Sequence, residues 1–270
     1  MYEKYWGLDK KPFENTPDPR FLYYSQQHDE ALARLIYAVR ERKGAAMLTG
    51  VFGCGKTLLA QALRSDLTED RYKIAFITNP QLTSEELIMY ITTHLGARDL
   101  PTKKIEVMIN VILDVLETIL KNNMQDGKDS IIILDEAHII DDPKIFEELR
   151  LLLNFQTQDR FLLTLLLFGQ PELKEKIESN KQLEQRIAIK AHLDSLTQVE
   201  TVEYINHRLN VAGRQEPIFT ESALSLIFEH SGGIPRRINR LCDACLLAGF
   251  AKKQETIDKD IVFEEAKSLG

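Results

Sequence analysis

Several things are scarce in this chain, and each scarcity removes a class of protein. Three cysteines in 270 residues cannot make a disulfide framework, so a reducing compartment, the cytoplasm, is the expected setting. The longest apolar run, Phe161-Leu-Leu-Thr-Leu-Leu-Leu-Phe168, is far shorter than the about 20 residues a membrane helix needs. It reads as a buried strand, and no membrane span is expected. No apolar stretch follows Met1-Tyr-Glu-Lys-Tyr-Trp6, so no secretory signal is expected. Positive charge is also in deficit. A formal net charge of -7 argues against a broad nucleic-acid surface, leaving a local basic patch open but not favoured. Repeats, low-complexity tracts and charged tails are absent. What remains is ordinary for a globular chain with a core, at 44% hydrophobic and 28% charged residues.

Along the chain, residues 1–24 form an aromatic arm punctuated by proline, expected to be ordered without regular structure. Ser25 is placed to cap a helix with Leu32, Leu35, Ile36 and Val39 on one face, ended by Gly44. Strands are expected at Ala45–Thr49, Lys73–Thr78, Ser130–Asp135, Phe161–Phe168 and Ile187–His192. Helices are expected from Lys56 to about Leu67, after the capping box Thr83-Ser-Glu-Glu86, over Lys103–Asn122, and from Asp142-Pro143 through Leu153. This alternation predicts a parallel sheet with helices on both faces. After Leu196 only helical periodicity is found. It begins with a second capping box, Thr197-Gln-Val-Glu200. The expected division is a nucleotide-binding αβα domain over 1–195, including the arm, and a helical lid over 196–270.

The chemistry begins at Gly50-Val51-Phe52-Gly53-Cys54-Gly55-Lys56-Thr57-Leu58. Glycines at these positions let successive backbone N–H groups turn inward around phosphate oxygens, and the following helix start adds positive potential. Lys56 is expected to be an exposed ligand of the β- and γ-phosphates, and the Thr57 hydroxyl a ligand of Mg²⁺. A strand before the loop and a helix after it distinguish it from an ordinary glycine turn. The second element is Ile131-Ile-Ile-Leu-Asp-Glu-Ala-His138. Asp135 at a central strand end can hold the Mg²⁺ shell. Glu136 can activate the attacking water. His138 reads as a neighbour of the site, structural before catalytic. Together the two elements match the P-loop class that carries an added central strand and a catalytic glutamate, with ATP and Mg²⁺ as its ligands.

Gln170, in Phe168-Gly-Gln-Pro-Glu-Leu173, is placed to point at the γ-phosphate, although a residue before Pro171 also reads as a turn. Arg186 precedes the fifth strand and Arg236 follows Gly232-Gly-Ile-Pro235 at a helix start. An arginine near the γ-phosphate stabilises transition-state charge, but by position alone either reads more readily as a solvated surface residue. Cys242-Asp-Ala-Cys245 lacks the second ligand pair that structural zinc needs and lies inside a helix, so it reads as core. Cys54 lies within the phosphate loop, where oxidation or alkylation is expected to block nucleotide.

Phe13-Glu-Asn-Thr-Pro-Asp-Pro-Arg-Phe-Leu22, the Thr49–Thr57 loop, Leu134-Asp-Glu-Ala-His138, Glu148-Leu-Arg-Leu-Leu-Leu-Asn154, Gly169-Gln-Pro-Glu-Leu173, Gln185-Arg186 and Gly233-Ile-Pro-Arg-Arg-Ile-Asn239 occur in that order. The set resembles the AAA+ ATPase module of the general secretion pathway protein A group (ExeA-type). The resemblance implies a three-layer αβα P-loop fold with a C-terminal all-helical lid. It implies Gln170 as the sensor on the fourth strand, Arg236 as the lid sensor, and Arg186 as a finger reaching a neighbouring subunit's ATP in a homo-oligomer. It places the arm near the adenine. It departs from many AAA+ proteins in having Gln rather than Asn at 170, and from the secretion proteins in showing no membrane helix or peptidoglycan-binding segment. Its leading functional implication is an ATPase that drives assembly of an envelope or secretion structure with a protein partner. The alternatives are a DNA-associated ATP switch of the transposition-target-selection type and a nucleotide-gated scaffold that hardly hydrolyses ATP.

Overall fold

The structure, a computed structural model, describes residues 1–16, 18–97 and 109–269. A short 3-10 turn, Pro19–Phe21, interrupts the arm. The regular elements then run α1 (Gln26–Arg40), β1 (Ala45–Gly50), α2 (Lys56–Asp66), β2 (Tyr72–Ile77), α3 (Ser84–Leu95) and α4 (Ile109–Gln125). They continue with β3 (Asp129–Leu134), a 3-10 turn at Ala137–Ile139, α5 (Pro143–Leu152), β4 (Leu163–Gly169), α6 (Glu172–Ser179), α7 (Lys181–Glu184) and β5 (Ile187–Leu193). The last four helices are α8 (Gln198–Val211), α9 (Glu221–Ser231), α10 (Pro235–Ala251) and α11 (Lys259–Leu269). Part of the helix expected over Lys103–Asn122, residues 103–108, lies outside the described residues, and the rest falls within α4. Helices α6 and α7 were not anticipated.

By contact the chain forms two compact units. One comprises Asp29–Gly50 and Leu59–Leu193, the other Met1–His28, Val51–Leu58 and Asp194–Gly270. The first unit holds a five-stranded sheet in the order β2-β3-β4-β1-β5, and every pairing in it is parallel. β4 is therefore inserted between β1 and β3. This insertion puts the carboxyl ends of three chemistry-bearing strands side by side, where loops of parallel sheets carry ligands.

Why these strands are central follows from their composition. Ile131, Ile132, Ile133 and Leu134 are all fully buried, as are Leu166, Leu167 and Phe168. A strand buried on both faces cannot alternate apolar with polar residues, hence the unbroken runs. Met47, Ile132, Leu134, Leu165 and Leu167 share one core with Leu87 and Ile91 of α3, Leu116 of α4, Leu149 of α5 and Ile177 of α6. The alternate residues Ala46, Leu48, Ile131, Ile133, Leu166 and Phe168 are equally buried, so the other face is covered as well. Helix α3 starts at the expected box. Thr83 Oγ1 accepts from Glu86 N at 3.2 Å, and Glu86 Oε2 accepts from Thr83 N at 3.0 Å. Asp142 and Pro143 start α5 as expected.

The second unit has its own core, in which the arm and the C-terminal helices share one set of apolar side chains. Trp6, Phe13 and Phe21 of the arm cluster with Ile205, Ile227, Cys242, Cys245 and Leu246. Trp6 is buried and donates its Nε1–H to Leu246 O at 2.9 Å. Both thiols of Cys242-Asp-Ala-Cys245 are fully buried in this cluster, and burial pushes the Cys245 thiol up to about 12. Among the described residues no group of three or more His, Cys, Asp or Glu side chains could hold a metal. Also among them, no helix is long and apolar enough to cross a membrane.

Candidate functional site

The phosphate loop follows β1 and ends where α2 begins at Lys56. Gly53 and Gly55 have φ of 84° and 102°, a region that side chains rarely adopt. A Cβ at Gly53 would lie 2.8 Å from Arg236 Cβ, so a side chain there is excluded by space as well as by conformation. The Arg236 backbone N–H donates to Gly53 O at 3.3 Å, and its guanidinium stacks over Phe52, 4.7 Å from the ring centre. Arg236 is exposed and Phe52 is 55% exposed, so the pair is a solvent-facing cation–π contact.

Lys56 departs from expectation. It is 5% exposed, not an open ligand, and its Nζ donates to Val51 O at 2.9 Å. The ammonium sits inside the turn of its own loop because the carbonyl there satisfies it. Cys54 is 1% exposed. Burial pushes its thiol up, more than the neighbouring Lys56 charge lowers it. A buried, protonated thiol is a poor nucleophile, which weakens the expectation that modification of Cys54 readily blocks the loop. Thr57 and Leu58 open α2 and are half-buried.

His28 was not singled out in the sequence. It is buried, its Nε2 lies 3.1 Å from Cys54 O, and its Nδ1 lies 2.7 Å from Ser25 Oγ. A carbonyl accepts only, so Nε2 carries the proton and Nδ1 accepts from the Ser25 hydroxyl. Ser25, expected as a helix cap, thus fixes the histidine that holds the phosphate loop. Beside this contact lies a narrow cleft of about 290 Å³ including its mouth. Phe21, Leu22 and Tyr23 of the arm line it, with Cys54, Gly55, Leu58, Leu196, Tyr204 and Pro235.

At the carboxyl edge of the sheet, Thr49 is in register with Gly169, and Leu134 with Leu167. Gly50, Asp135, Glu136 and Gln170 all follow from these strand ends. Asp135 is 2% exposed and its Oδ1 accepts from Glu136 N at 3.0 Å. Glu136 has φ 55°, ψ 33°, a left-handed conformation unusual for a residue with a side chain. The chain turns there into Ala137–Ile139, and Glu136 is less buried than Asp135. Gln170 Nε2 is 2.9 Å from His138 Nε2. Arg186 is engaged elsewhere: its guanidinium donates to Leu153 O at 3.5 Å and Asn154 Oδ1 at 3.1 Å, beyond the end of α5.

A family model described as an AAA domain matches residues 39–177, from the end of α1 into α6. The chain belongs to the AAA domain family. It is an AAA-type ATPase in class. Its sequence is 39% identical over 260 residues to general secretion pathway protein A of Aeromonas hydrophila. That match takes in 95% of this chain and 46% of that protein, so the chain spans about half the length of the curated relative it matches. The resemblance first seen in separated motifs therefore extends along nearly the whole chain. Among solved structures, the Aeropyrum pernix ORC2 protein (ADPNP-ADP complexes) is similar with a TM-score of 0.71 and 19% identity, covering 96% of this chain and 71% of that one. The Thermotoga maritima RuvB Holliday junction branch migration motor gives a TM-score of 0.61 at 20% identity, covering 91% and 70%. At such identities these likenesses speak for the fold alone, and they support the expected αβα P-loop architecture.

Proposed function

We propose that this AAA-type ATPase hydrolyses ATP with Mg²⁺ and assembles into a homo-oligomer whose cycle drives construction of an envelope or secretion structure. The observation carrying the hydrolytic reading is the end of β3. There a buried carboxylate, Asp135, is followed by a half-buried one, Glu136, on a left-handed backbone, with Gln170 following the neighbouring strand. Adjacent carboxylates with different exposure suit two roles, one for a cation and one for a water.

In this reading residues 1–195 work as the nucleotide-binding domain and 196–270 as the lid. Backbone N–H groups of Val51–Thr57 cradle the phosphates, and Lys56 exchanges Val51 O for phosphate oxygens. The oxygen donors Thr57 and Asp135 are the hard, few-ligand set that suits Mg²⁺, which keeps waters and takes its remaining ligands from phosphate. When bound, the cation neutralises charge on the β- and γ-phosphates. Glu136 takes a proton from the attacking water as its oxygen bonds to the γ-phosphorus, and the bond to the ADP oxygen breaks. Gln170 donates to a γ-phosphate oxygen. Arg236, free to leave Phe52, and Arg186, from a neighbouring subunit, add positive charge. The apolar cleft behind Cys54 takes the adenine, with arm residues 21–23 as one wall. The three unpaired buried cysteines suit a cytoplasmic location.

The assembly claim is supported by the similarity to general secretion pathway protein A and by the arginine ahead of β5. Sedimentation with ATP, ADP and no nucleotide tests it. ATP-dependent association with turnover per subunit rising with concentration is expected. A monomer with concentration-independent turnover would remove the oligomer. Turnover stimulated by duplex DNA, steeply weakened by salt, would instead favour the DNA-associated alternative.

A further inference from the structure

We infer that His138 is a positioning residue that ties Gln170 to the general base Glu136, so the two act as one unit; this rests on the assignment of Glu136 above. The geometry assigns the ring proton. The Gln170 amide nitrogen, 2.9 Å from His138 Nε2, can only donate, so Nε2 accepts. A neutral ring accepting at Nε2 carries its proton on Nδ1. Nδ1 faces Glu136 Oε2 at 3.3 Å. Both atoms are buried, and neither makes an aligned hydrogen bond. Two buried polar atoms within reach but off axis are a contact that a small ring or carboxylate rotation completes.

The backbone around them is fastened, so the side chains are what turns. Lys176 Nζ, from α6, donates to His138 O at 2.6 Å and Ile140 O at 2.8 Å, and pairs with Asp141 Oδ1 at 3.0 Å. On the other side, a Cβ at Gly169 would come within 2.8 Å of Leu173 Cδ2 and 3.2 Å of His138 N, so the end of β4 lies close against the turn. Glu136 is already committed to its left-handed conformation. Gln170 therefore sets the ring by its donated proton, and the ring sets the Glu136 carboxylate by its Nδ1–H. A γ-phosphate drawing on the Gln170 amide is then felt at the base without direct contact between Gln170 and Glu136.

The test uses the full chain. His138→Ala should lower kcat about tenfold or more, with ATP affinity and unfolding temperature unchanged. Asparagine places an amide N–H near the Nδ1 position and glutamine near Nε2. His138→Asn should recover most of the lost kcat and His138→Gln should not. A role in packing alone predicts recovery by the larger glutamine. In a Gln170→Ala background, His138→Ala should cost nothing further, whereas independent roles would multiply the losses. The ring is read separately by ¹⁵N NMR of histidine-labelled protein near pH 8. Wild type should show the Nδ1–H tautomer, and Gln170→Ala should lose that preference. An Nε2–H ring in wild type, or unchanged kcat in His138→Ala, overturns the inference. Absence of wild-type hydrolysis would overturn the functional reading and leave the tautomer result to decide this one.

Discussion

Replacing Arg208 with alanine should loosen the N-terminal arm and weaken nucleotide binding together. Arg208 is 4% exposed, and each of its three guanidinium nitrogens donates to the arm or to α8 itself. Its Nε donates to Pro12 O at 2.5 Å, one terminal nitrogen to Glu14 O at 2.9 Å and the other to Tyr204 Oη at 2.8 Å. Its guanidinium also lies 4.8 Å from the Phe21 ring centre. The losses differ. Glu14 is exposed, so water can replace its bond. Tyr204 keeps Asn239 as a partner at 2.7 Å. Pro12 is buried, so its carbonyl is orphaned at about 1–3 kcal/mol. Loss of the buried cation–π contact adds about 1–2 kcal/mol. A total near 3 kcal/mol corresponds to a fall of roughly 6–12 °C in unfolding temperature. Lysine retains charge but not the planar fork, so Arg208→Lys should lose roughly half as much. Because Phe21, Leu22 and Tyr23 line the cleft assigned to adenine, ATP affinity should fall about tenfold, equivalent to about 1.4 kcal/mol. Thermal unfolding, chymotryptic cleavage at Phe13 and Phe21, and titration with ATP measure the three effects. An alanine variant with unchanged melting, an arm as resistant as wild type and unaltered ATP affinity would refute the reasoning.

Three further outcomes are expected. Lys56→Ala should abolish measurable ATP binding while keeping the circular dichroism of wild type, since the Val51 carbonyl it leaves lies in a half-buried loop; unaltered affinity would remove Lys56 from the phosphate site. Arg186→Ala should bind ATP and hydrolyse it poorly, and mixing it with Lys56→Ala should restore turnover if the arginine serves a neighbour; co-assembly without restored turnover would confine Arg186 to its bonds with Leu153 and Asn154. The thiols of Cys54, Cys242 and Cys245 are all raised by burial, so the folded state holds those protons more tightly. Their contribution to stability is complete below the ordinary thiol value of about 8.5 and is lost as pH rises past it. Thiol-reagent kinetics should show three slow sites at pH 7.5 that become fast on unfolding, and a rapid native reaction at Cys54 would contradict its burial.

How far the sequence could be read depended on whether a feature is local. Strands β1, β3 and β4 were legible as apolar runs, β2 and β5 as short stretches rich in apolar residues, and the capping boxes at Thr83 and Thr197 form as written. Helices α6 and α7 escaped notice because they are short and carry few apolar residues, Leu173, Ile177 and Leu183 being those that are buried. The carboxylate pair was legible from its position after a hydrophobic strand, but the left-handed backbone of Glu136 was not, since no glycine or asparagine marks it. Lys56 was expected in the open as a phosphate ligand; the carbonyl that lets it turn inward comes from folding of the loop itself. His28 meets Cys54 and His138 meets Gln170 at 26 and 32 positions' separation in the chain, and no spacing rule links such pairs.

The most direct test of the central claim is steady-state ATP turnover by wild type and by Glu136→Gln, with ATP affinity measured on the same preparations. Glutamine keeps the size of the side chain and its hydrogen bonding but cannot take a proton from water. Wild type should release phosphate only with Mg²⁺ present. The variant should bind ATP as tightly and turn it over at least about 100-fold more slowly. Turnover in Glu136→Gln equal to wild type would contradict the assignment of the base at the end of β3.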